Sequence, residues 1–174
     1  MKARILRQTS VIALAMIAAL TITFSVASGQ KAEENQSLKS SNAGERTIQG
    51  VWRTAVTPRN CQTGDPVAPP FQGLFTFNKG GTLSEFGVVA NPALRSPGHG
   101  LWQREQGWQD YSLKFTFLRY NASGVFIGTQ KVTSTLELGA SGDEFTTNGA
   151  VEVFDAGGNL VGTGCATAAG TRFE

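Results

Sequence analysis

From Thr47 onward, segments rich in Phe, Val, Thr, Tyr and Trp alternate with clusters of Gly, Asn, Asp and Ser. Inside the segments, apolar positions recur at every second residue. Tyr111, Leu113, Phe115 and Phe117 fall on one face, and Ser112, Lys114 and Thr116 on the other. Phe145, Val151 and Val153 share a face opposed by Thr146, Asn148 and Glu152. That period belongs to a strand with one face buried and one wet. The pattern predicts eight strands: Thr47–Thr57, Phe71–Asn78, Thr82–Val89, Gly98–Glu105, Gln109–Asn121, Gly124–Leu138, Asp143–Phe154 and Asn159–Phe173. No segment after Thr47 carries a helical period.

The joints between these strands are short and rich in residues that tolerate positive φ. Asn78-Lys79-Gly80-Gly81, Asn121-Ala122-Ser123-Gly124, Gly139-Ala140-Ser141-Gly142 and Asp155-Ala156-Gly157-Gly158 are of this kind. Connections this short make neighbouring strands antiparallel. A meander of eight strands either stays open with two edges or closes on itself, and closure removes the edges. The expected fold class is therefore all-β, an eight-stranded antiparallel up-and-down barrel.

Closure brings the first strand beside the last. Gly50-Val51-Trp52 lies on the first and Arg172 near the end of the last. This pairing resembles the calycin pattern of lipocalins and their relatives, in which a Gly-x-Trp on the first strand packs with an Arg on the last at the closed end of the barrel. The resemblance covers two short points, supported by strand count and topology; the longer lipocalin motifs are not evident. It implies a structural role in closure for Trp52 and Arg172, and binding of a small hydrophobic molecule in the cup. The two cysteines fit the same register. Partners in an antiparallel pair have residue numbers of constant sum, and Cys61 with Cys165 falls within two of Trp52 with Arg172. A Cys61–Cys165 disulfide is expected, with Pro58 ending the ladder just before it.

The chain ahead of Thr47 is of another kind. Lys2, Arg4 and Arg7 precede an apolar run from Val11 to Phe24, and Ser25-Val26-Ala27-Ser28-Gly29 follows. A positive start, an apolar middle too short to span a bilayer and a small-residue exit describe a signal peptide over 1–29. Residues 30–46 are polar and read as a disordered linker, leaving 47–174 as the barrel domain. The full chain of 174 residues carries formal charge +2, but without 1–29 it has 12 Lys+Arg against 13 Asp+Glu. The apparent basicity thus belongs to the leader, and no basic cluster remains to engage nucleic acid. The expected location is periplasmic or extracellular, where a disulfide persists. No membrane span is expected once the leader is removed.

Catalytic chemistry is sparse. One His and two Cys cannot close a zinc site by themselves. No metal, phosphate-binding or dinucleotide motif is present, and no cofactor is expected. His99, in Arg95-Ser96-Pro97-Gly98-His99-Gly100, is the sole imidazole and reads as a loop residue near a barrel mouth. Glu85 and Glu105 lie on separate strands and could approach each other, but strand alternation and the rarity of buried Glu place Glu85 outside. No catalytic residue is assigned. Phe75, Phe77, Tyr111, Phe115, Phe117 and Phe126 fall on the expected inner faces, with Trp102 at the turn between the fourth and fifth strands. The last strand opposes them with small residues of one parity, Gly162, Gly164, Ala166, Ala168 and Gly170. Two outcomes stay open: the aromatics fill the lumen, or the small wall leaves room for a ligand. In the second case Phe75, Phe77, His99, Trp102, Tyr111, Phe115 and Phe117 are the expected ligand contacts, with His99, Tyr111 or Arg95 orienting a polar end. The other classes are a barrel enzyme of the cyclase or dirigent type and an inhibitor-like barrel acting through its loops.

Overall fold

The structure is a computed structural model and describes residues 47–89 and 91–173. The expected signal peptide and linker lie outside the described residues. Eight strands follow one another, β1 (Gly50–Arg59), β2 (Phe71–Phe77), β3 (Thr82–Gly87), β4 (Gly98–Arg104), β5 (Asp110–Tyr120), β6 (Phe126–Leu138), β7 (Glu144–Asp155) and β8 (Leu160–Arg172). Each pairs antiparallel with the next, and β8 returns to β1, so the sheet is a closed up-and-down barrel. One 3-10 turn, Pro92–Leu94, interrupts the β3–β4 connection. Among the described residues no helix is long and apolar enough to cross a membrane.

The closing seam sets Trp52 opposite Arg172 and Arg59 opposite Cys165. Two residues beyond Arg59, Cys61 is disulfide-bonded to Cys165 with their Cα atoms 5.2 Å apart. Pro58 does not end the ladder as its ring suggests; it pairs with Ala166 inside β1. Its carbonyl accepts from Val67 N–H at 3.0 Å, away from β8. The missing N–H of Pro58 lies on that same side, so the β8 ladder loses nothing.

The barrel has two unlike halves. At the end holding the start of β1 and the last residues of β8, the interior is packed solid. Trp52 is fully buried against Phe145, ring centroids 4.9 Å apart. Phe77 meets both Phe145 and Trp102 edge-on, and Ile48, Leu83 and Leu138 fill the remaining space. Gly170 makes this possible, because a Cβ there would stand 2.3 Å from the Phe145 ring. Arg172 covers this end. Its guanidinium lies 4.2 Å over the Trp52 ring and donates to the carbonyls of Thr47 and Gln49 at 2.9 and 2.7 Å. Gly50 has φ +124°, and a Cβ there would stand 3.0 Å from Arg172 Nη1, so both glycine and arginine of the closure pattern have a steric reason.

The inner faces follow the alternation except at the starts of β6 and β8, where the register shifts. Phe126 is exposed at 41 % and packs beside Tyr120 on the outside. A register shift at Arg119/Tyr120, opposite the start of β6, breaks the parity there.

Candidate functional site: a half-hollow lumen

The other half of the barrel is hollow. It encloses a cavity of about 510 Å³, opening at the end that carries the β1–β2, β3–β4, β5–β6 and β7–β8 connections. The size is that of a small-molecule pocket. Its emptiness has a local cause in three strands. The inward positions of β8 are Gly164, Ala166 and Ala168, which reach little of the lumen. On β4 the inward positions are Gly98 and Gly100, and β3 ends inward on Gly87. The larger apolar lining residues are Phe75, Leu113, Phe115, Phe117, Val132 and Val151. Phe75 and Phe115 meet edge-on at 5.6 Å and form the floor above the packed half. The two outcomes left open by the sequence are thus both present, one in each half of the same barrel.

Into this apolar lining the fold sets one ion pair. Glu85, on β3, shares its parity with Leu83 and points inward, only 4 % exposed. The expectation of a surface carboxylate fails here: Phe86, its neighbour, takes the outward position instead. Arg95 follows the 3-10 turn and reaches back to bond Glu85 Oε2 through Nη2. Its guanidinium carbon lies over Phe117, 3.6 Å from the ring centroid, and its Nε donates to Ser96 O. Glycines make the room. A Cβ on Gly98 would stand 2.8 Å from Glu85 Oε2, and one on Gly87 would stand 2.9 Å from Oε1 and 3.0 Å from Arg95 Nη1. Burial pushes the Glu85 carboxyl above the ordinary carboxylate range, and Arg95 draws it only part of the way back. Glu105 is no partner for it. Glu85 faces Gly98, the first residue of β4, whereas Glu105 follows its last residue and is exposed. Hydrogen bonds from Ser112 and Gln103 hold Glu105 below the usual range.

Of the expected ligand contacts, Phe75, Phe115 and Phe117 line the cavity. Phe77, Trp102 and Tyr111 belong to the packed half, where Trp102 donates from Nε1 to Thr82 O at 3.0 Å and Tyr111 from its hydroxyl to Trp108 O at 3.1 Å. His99 is exposed on the outer face, because Gly98 and Gly100 take the inward positions beside it, and it does not line the cavity. Arg95 does. Sequence reasoning missed Glu85 as an interior residue. The signal was there in its parity with Leu83 and in Gly87 and Gly98, which clear the space around it.

The chain matches no known protein family, and a search of curated proteins finds no significant match.

Proposed function

We propose that this chain is an exported, lipocalin-like barrel that holds a small, largely apolar molecule in the hollow half of its lumen. The observation that carries this reading is the cavity of about 510 Å³, lined largely by Phe, Leu and Val and left open by Gly and Ala. Water in such a space has few polar partners, and an apolar guest displaces it favourably. Export is supported by the charge-apolar-small pattern of residues 1–29 and by the Cys61–Cys165 disulfide.

The test is binding of N-phenyl-1-naphthylamine, an uncharged fluorophore that brightens in apolar surroundings. Its emission is expected to rise on mixing with the protein, and its saturation to raise the thermal midpoint. Ala166→Phe fills the lumen from the small wall and is expected to abolish the rise while keeping the fold. Equal emission from wild type and Ala166→Phe would place the dye outside the barrel and remove the reading.

One observation favours a second reading, a barrel enzyme. A carboxyl with a raised pKa in an apolar cavity is suited to proton transfer with a bound substrate. Turnover that disappears in Glu85→Gln while the dye still binds would establish it.

A further inference from the structure

Glu85 and Arg95 bond to each other through one atom each, Oε2 and Nη2. The other atoms of the two groups, Glu85 Oε1 and Arg95 Nη1, have no hydrogen-bond partner among the described residues. They are not sealed away either. Among the described residues the one buried side-chain polar atom without a partner is Thr54 Oγ1. Both residues line the cavity, so the two free atoms are reached from it. Both face Gly87, since each lies within 3.0 Å of the point a Gly87 Cβ would occupy. The cavity wall therefore presents one strong acceptor and one strong donor around Gly87, in a lining that is mostly apolar but also holds Arg119, Gln130 and Ser134.

Resting on the ligand-binding reading, we infer that the guest carries an uncharged head group with a donor beside an acceptor, of the carboxamide kind. Its N–H donates to Glu85 Oε1 while its carbonyl accepts from Arg95 Nη1. A bare carboxylate is disfavoured, because it satisfies Arg95 but sets two anions against each other at Glu85. A plain ketone satisfies Arg95 and leaves Glu85 Oε1 desolvated without a donor. An alkane tail satisfies neither. Discrimination comes less from the bonds gained than from the polar atoms that a wrong head group strands.

The experiment displaces N-phenyl-1-naphthylamine at pH 8 with three competitors of similar chain length: decanamide, 2-undecanone and decanoate. Decanamide is expected to displace the dye at concentrations about tenfold lower than either of the others, as one well-placed bond to a charged group implies. The double variant Glu85→Leu with Arg95→Met removes both charges together and leaves no unpaired ion. In it, dye binding is expected to persist and the preference for the amide to vanish. Dye binding in wild type with no preference among the three would overturn the head-group inference and leave the ligand-binding reading standing. Preference for decanoate would overturn it too, by making Arg95 an anion site. A preference for the amide that survives in the double variant would place its recognition elsewhere. No dye binding at all would remove the underlying reading.

Discussion

Two buried polar residues, on β1 and β3, are in opposite situations. Thr54, 2 % exposed, keeps a hydroxyl with no partner, crowded by Gly73, where a Cβ would stand 2.7 Å from Oγ1. Its desolvation is uncompensated, so Thr54→Val, which keeps the shape, is expected to stabilise the barrel by about 1 kcal/mol in urea denaturation. Glu85 is compensated by Arg95 but only in part, and its behaviour depends on pH. Its folded-state pKa is raised, so the folded chain binds more protons than the unfolded one between the ordinary carboxyl pKa and the raised value. Stability from this group is full below that window and falls as pH rises through it. Wild type is therefore expected to lose stability relative to Glu85→Gln as pH rises from about 4.5, the ordinary value, towards neutrality. Parallel pH profiles for the two proteins would contradict the buried placement of Glu85. At Gly100 the constraint is steric. A Cβ there would stand 1.9 Å from Lys114 O, and that backbone cannot retreat without disturbing the β4–β5 ladder. Gly100→Ala is expected to cost about 1–3 kcal/mol, read from the denaturation midpoint.

At the scale of strands, the seam between β1 and β8 carries the most varied set of interactions. Trp52 is buried on one side of it, and Arg172 donates across it to the segment before β1. Trp52→Ala is expected to destabilise by about 3–5 kcal/mol, the usual cost of emptying a large aromatic site. All eight strands and their antiparallel order were legible from the alternation of Phe, Leu and Val with Thr, Ser and Lys. So was the seam register, because Trp52, Arg172 and the two cysteines constrain it jointly. What escaped depended on facts that alternation does not carry. The Pro58 position rests on which way its carbonyl faces, known only once Val67 is placed. Phe126 follows a register shift that parity counting steps over. Glu85 obeyed parity, but its tolerance indoors needed Arg95, which comes from a loop ten residues on. The site shows the same split. Phe75, Phe115 and Phe117 were readable as inward, whereas the height of each along the barrel axis was not. Height decides between packed floor and cavity wall, and it left Phe77, Trp102 and Tyr111 below the cavity.

For the whole molecule, the disulfide ties β8 to the chain just beyond β1, across a sequence separation of 104 residues. Reduction is expected to lower stability by about 4–5 kcal/mol in the chain-entropy account, measured by guanidinium denaturation with and without reductant. A drop below about 1 kcal/mol would mean that the reduced chain keeps its ends together unaided. The pairing order of the barrel also orders its assembly in time. Seven of the eight seams join strands adjacent in sequence, and only the β1–β8 seam is remote. Hairpin seams close short loops and form early, while the remote seam waits for the chain to curl through a full turn. Until then the protein is a curved sheet with β1 and β8 as bare edges, the form most open to pairing with another copy. The Cys61–Cys165 bond then acts as a latch on the slowest step. Refolding of the reduced chain is expected to yield more aggregate as concentration rises, and refolding with the disulfide intact to be nearly insensitive to it. The feature that completes the cup is thus also what keeps separate copies from completing each other.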